Sequence, residues 1–129
     1  MRGEHKEIIH RLAMVERHVN APRFNERMFR ESVATLGVKL REHFRREERD
    51  VYGPLNSRLK GDSPTSDLIE DHSSIRKAFD KLSKADLAKR TGRHPPAQLK
   101  RELSSLELTL RRHVVKEETV VFWLAECQL

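Results

Sequence analysis

The sequence predicts an all-α domain arranged as an up-down-up-down four-helix bundle. Three observations carry that reading. Four stretches repeat apolar residues at helical spacing, the breaks between them are short, and only five Gly and five Pro occur in 129 residues. That length suits one packed domain, spanning 1–129, with a real core.

The first helix is predicted over 4–19, where Ile8, Ile9, Leu12, Val15 and Val19 share a face before Asn20-Ala21-Pro22 supplies a stop. Asn25 can cap a second helix opening at Glu26. Its stripe reads Phe29, Val33, Leu36, Leu40, Phe44 and Val51 until Gly53-Pro54, with a short turn over Leu55 to Leu59. Ser63-Pro64 starts a third helix through Leu68, Ile75, Phe79 and Leu82 to about residue 88. After a break at Thr91 to Pro96, the fourth carries Leu99, Leu103, Leu106, Leu110, Val120 and Leu124.

Charge is a weaker guide. Twenty-six Lys and Arg against twenty Asp and Glu give +6, but the excess is spread along the chain, and acidic residues flank the basic spots. Mixed signs along helices mark solvated faces, so a nucleic-acid partner is the less favoured reading. The longest apolar run, Val120 to Ala125, is far short of the roughly 20 residues of a membrane span. With no apolar stretch near Met1, the expectation is a cytoplasmic protein without a membrane partner. The single cysteine, Cys127, excludes a disulfide framework or a thiolate cluster and has no neighbour that marks it as a nucleophile.

The informative positions keep the apolar spacing with a polar side chain. On helix four the series 99, 103, 106, 110, 113, 117 and 120 places His113 and Glu117 on the inner face. On helix two the series 29, 33, 36, 40, 43, 47 and 51 does the same with His43 and Glu47. Four residues advance a helix by about 6 Å and 40°, so each pair aims an imidazole and a carboxylate at one point. His72 lies between Leu68 and Ile75 on the third stripe, and His5 stands one turn before Ile8. Counting down and back along each hairpin returns all six residues to the same end of the bundle.

A lone inward histidine is usually a hydrogen-bonded core residue. Buried carboxylates are harder to accommodate, because each costs several kcal/mol unless paired or metal-bound. Two of them beside four imidazoles point to a metal site. Imidazole and carboxylate without thiolate suit iron, manganese, cobalt or zinc, and two carboxylates on facing helices give a capacity for two ions.

The segments Glu42-His43-Phe44-Arg45-Arg46-Glu47-Glu48, Glu70-Asp71-His72 and Arg112-His113-Val114-Val115-Lys116-Glu117-Glu118, with Glu4-His5-x-x-Ile8, resemble the hemerythrin-like, or HHE cation-binding, domains. The resemblance covers nearly the whole chain. It implies a non-haem, oxo-bridged di-iron centre that binds dioxygen, nitric oxide or peroxide. His5, His43, His72 and His113 would be terminal ligands, and Glu47 and Glu117 the bridging carboxylates. Members serve as oxygen carriers, gas or redox sensors, and in some cases in peroxide removal.

One departure stands out. A complete site of that type offers a second histidine one turn after the first on helix three, and here that position is Arg76, which has no lone pair for a metal. Either another group fills the place, or one ion binds weakly and the site is partly mononuclear. His10 is no substitute, since it points about 140° away from His5. If the activity is catalase-like peroxide decomposition, an inward Arg76 would orient the oxidant; an Arg76 at a solvated helix edge would not. The alternative function is a metal-dependent sensor or regulatory binding module without turnover. Glu48 and Glu118 point aside and read mainly as surface groups, Asp71 as a group that could orient an imidazole on another helix, and Tyr52 and Trp123 as end packing.

Overall fold

The computed structural model describes the backbone of residues 2–52, 64–89 and 94–128, and side chains over 3–50, 68–88 and 94–119. Four helices dominate it: α1 (Arg2–Asn20), α2 (Glu26–Glu47), α3 (Pro64–Ser83) and α4 (Ala97–Gln128). α1 packs on α2 and α4, and α3 on α4 and α2, so the helices form a ring in chain order. The start of α1, the end of α2, the first half of α3 and the second half of α4 meet at one end, so directions alternate.

Local chemistry sets the boundaries. Asn25 has extended backbone at φ −112° and ψ 108°, and its side chain accepts the Met28 amide at 3.0 Å, satisfying one of the donors that a helix start leaves open. α2 passes directly into a π-helical turn, Glu48–Tyr52, where the widened winding follows straight after Glu47. α3 ends at Ser83, earlier than the residue 88 predicted. Ala85 N–H bonds back three residues to Leu82, and the Asp86 carboxylate then takes the Ala88 amide, which favours a separate 3₁₀ turn at Leu87–Lys89. Leu87 is still buried from that turn.

The core follows the stripes. Ile8, Leu12, Val15 and Val19 of α1 pack with Phe29, Val33, Leu36, Leu40 and Phe44 of α2, Ile75 and Leu82 of α3, and Leu99, Leu103, Leu106 and Leu110 of α4. Each such side chain contributes about 1.5–3 kcal/mol by leaving water. Gly37 lets α3 approach α2, since a Cβ there would lie 2.6 Å from Cζ of Phe79. Outside, Arg11 pairs with Glu7, Arg30 with Glu26 and Arg111 with Glu107 one turn apart, the solvated ion pairing expected of mixed charge.

The halves of the bundle echo each other. Phe29 and Leu99, Val33 and Leu103, Leu36 and Leu106, Leu40 and Leu110, His43 and His113, Glu47 and Glu117 share one constant spacing. His5 and His72, and Ile8 and Ile75, share a second. α1 therefore corresponds to α3 and α2 to α4 about a pseudo-twofold axis. The expectations for Gly53-Pro54, Leu55 to Leu59 and Ser63, and for the side chains of Val51, Tyr52, Val120, Trp123, Leu124 and Cys127, lie outside the described residues. Among the described residues no helix is long and apolar enough to cross a membrane.

Candidate metal centre

Six polar residues are buried at one end of the bundle: His5, His43, Glu47, His72, His113 and Glu117. They are the six that the stripes predict to face inward. Spacing explains the convergence, because each occupies a core position of its helix and cannot leave it without withdrawing the neighbouring leucines from the core. One turn further in, Ile8, Leu40, Ile75 and Leu110 form an apolar floor.

The ligand atoms fall into two overlapping sets. His5, His43, Glu47 and Glu117 make one, and Glu47, His72, His113 and Glu117 the other, with the atoms of each set within 4.8 Å of one another. Both carboxylates belong to both sets. All four imidazoles turn Nε2 inward: His5 is 2.7 Å from Glu117 and 3.8 Å from Glu47, and His43 is 2.9 Å from Glu47. His72 Nε2 is 3.3 Å from Glu47, and His113 Nε2 is 3.3 Å from Glu117.

All four turn Nδ1 outward to a carboxylate on another helix. His5 meets Glu118 at 3.0 Å, His43 meets Glu4 at 2.7 Å, His72 meets Glu48 at 3.1 Å and His113 meets Asp71 at 3.2 Å. An Nδ1–H donated to a carboxylate fixes the tautomer and leaves the Nε2 lone pair facing the centre, the arrangement that supports metal-bound histidines. Three of the carboxylates are themselves anchored by cations: Glu4 by Arg46, Asp71 by Lys116 and Glu48 by Arg76. The expectation for Asp71 holds. Glu48 and Glu118, read mainly as surface groups, are only about one-third exposed and belong to this supporting ring. Glu4 was missed as a support for His43; the signal was the acid placed immediately before His5, as Asp71 is before His72.

Electrostatics fits the same donor set. Burial drives the His113 imidazole down to about 4, the charge of His72 adds to this, and Asp71 only partly opposes it, so His113 is neutral at pH 7. Its Nε2 is buried and makes no hydrogen bond among the described residues, as suits an atom whose lone pair is kept for a cation. Burial would raise the Glu47 carboxyl, but hydrogen bonds with His43, His5 and His72 hold it well below the usual carboxylate range. For His5, burial pulls downward and is outweighed by Glu47 and Glu118, which raise it.

Arg76 does not turn inward. Its side chain is 47% exposed, its guanidinium donates to Glu48 at 3.3 Å, and it lies over the Phe44 ring at 5.4 Å from the centroid. The idea of an inward guanidinium orienting the oxidant is corrected accordingly: the Glu48 carboxylate and the aromatic face hold it at the outer edge. His10 is exposed, as expected.

The fold and site define a helical-bundle protein whose buried histidines and glutamates could hold a metal cation. The family model for the hemerythrin HHE cation binding domain matches residues 1–125, and the chain belongs to that family. No curated protein and no solved structure matches it.

Proposed function

We propose that this protein holds two iron ions between Glu47 and Glu117 and binds or decomposes a small oxidant such as hydrogen peroxide, dioxygen or nitric oxide. The supporting observation is the pair of two-histidine, two-glutamate sets that share both carboxylates. Iron bound there supplies Lewis acidity and a change of oxidation state. The chain does the rest. His5 and His43 hold one side and His72 and His113 the other, each aimed by its Nδ1 bond. Glu47 and Glu117 span the two sides and neutralise the charge. Ile8, Leu40, Ile75 and Leu110 keep water from reaching the centre from below, which strengthens every interaction above them.

The test is metal content together with an optical spectrum of anaerobically purified protein, before and after air. Two irons per chain and near-ultraviolet bands that develop on oxidation support the reading. Zinc, or no metal after iron supplementation, would sink it. Oxygen release from added peroxide, compared between wild type and Glu117→Ala, then separates turnover from binding: iron without peroxide consumption assigns the centre to carrying or sensing.

A further inference from the structure

We propose that Arg76 makes the two metal positions unequal, so that the position of His72 and His113 fills first and that of His5 and His43 second. This rests on the dinuclear reading above. The pseudo-twofold axis makes the comparison internal to the molecule. His43 and His113 are treated alike, since each donates Nδ1–H to an acid anchored by a cation, Arg46 for Glu4 and Lys116 for Asp71.

His72 and His5 are not treated alike. His72 is gripped at its edge by Glu48 and on its face by Phe44, whose ring stacks on it at 3.9 Å between centroids and 13° between planes. Arg76 ties both grips together, through its hydrogen bond to Glu48 and its place over the Phe44 ring. On the other side of the axis Ile9 stands at the place of Arg76 and Val114 at that of Phe44. Among the described residues Glu118 has no cation and no ring stacks face to face on His5, whose T-shaped contact with His43 at 4.8 Å is matched by that of His72 with His113 at 4.7 Å. A ligand already fixed in its bound orientation loses less freedom on binding, and that favours the His72 position. Arg76 is thus a positioning residue, acting on the metal through Glu48, Phe44 and His72.

Anaerobic titration of the metal-free full-length chain with cobalt(II), followed by its visible absorption, tests this. Wild type is expected to fill in two resolved phases. His72→Ala should remove the tighter phase and His5→Ala only the weaker one. Arg76→Leu should weaken the tighter phase by about tenfold or more and bring the two together. Its metal-free melting temperature should stay that of wild type, and Arg76→Lys, which keeps a cation for Glu48, should preserve the separation. A tighter phase that survives His72→Ala, or a separation untouched by Arg76→Leu, overturns the proposal. Two ions bound with equal affinity overturn it while sparing the dinuclear reading; failure to bind either cobalt or iron overturns both.

Discussion

Glu4 precedes His5 in the chain, yet its carboxylate accepts the Nδ1–H of His43 on the neighbouring helix, at 2.7 Å. Asp71 repeats this on the other side, preceding His72 and accepting from His113. Within each hairpin, therefore, the acid before the first helix's histidine holds the second helix's imidazole in place. Removing that acid frees a ring without touching a ligand. Glu4→Ala is expected to lower metal affinity about tenfold or more, measured by competition with a chelator, while the metal-free far-ultraviolet circular dichroism stays that of wild type.

Glu47 and Glu117 each stand in both sets of ligand atoms. Loss of either should empty both positions, whereas loss of one histidine spares the opposite side. Metal analysis after dialysis against a weak chelator is the check: fewer than one ion retained in Glu47→Ala or Glu117→Ala, and a single ion in a histidine variant.

The core can be perturbed away from the centre. Leu106 is fully buried, two turns from His113. Leu106→Ala should cost about 3 kcal/mol in urea unfolding, and folded Leu106→Ala should still take up its metal at wild-type stoichiometry.

Gly37 faces Phe79 with no room for a side chain. Gly37→Leu should cost about 2 kcal/mol, and pairing it with Phe79→Ala should recover part of the loss, a coupling that a double-mutant cycle reads directly.

A pH effect is expected far from the metal. Glu16 of α1 faces Glu107 and Arg111 of α4. Burial raises its pKa, the Glu107 hydrogen bond and charge add to this, and Arg111 opposes it. An acid raised on folding binds its proton more tightly in the native state. It favours folding below its unfolded pKa, and that contribution is lost as pH rises through the folded value. Glu16→Gln should therefore melt higher than wild type at pH 7, with the gain shrinking as pH falls into the ordinary glutamate range.

The bundle and the six inward residues were legible because both depend on periodicity, which needs only helical spacing to be read. The three-dimensional partner of each Nδ1 was harder. Glu48 and Glu118 follow the inward glutamates by one position, and on a helical wheel that turns them away from the axis; only the packing of adjacent helices shows that the turn aims them at His72 and His5. The direction of Arg76 stays open in the sequence for a related reason. Its position one turn after His72 is visible in sequence, but the direction of a long, flexible side chain is set by Glu48 and Phe44, which belong to another helix. The end of α3 moved because Asp86 offers the backbone a local partner that the apolar stripe does not report.

The apolar floor divides the bundle into two regimes of substitution. Below it, at Val15, Val19, Leu36, Leu82, Leu99 and Leu106, the constraint is on volume, and exchanges among aliphatic side chains that conserve total bulk leave the fold in place. Above it the constraint is on chemical identity, where even an isosteric exchange of glutamate for glutamine removes a charge that no neighbour can replace. A library that randomises the lower layers within hydrophobic residues, with the upper layer held fixed, would tune the rigidity of the scaffold while leaving the donor set intact.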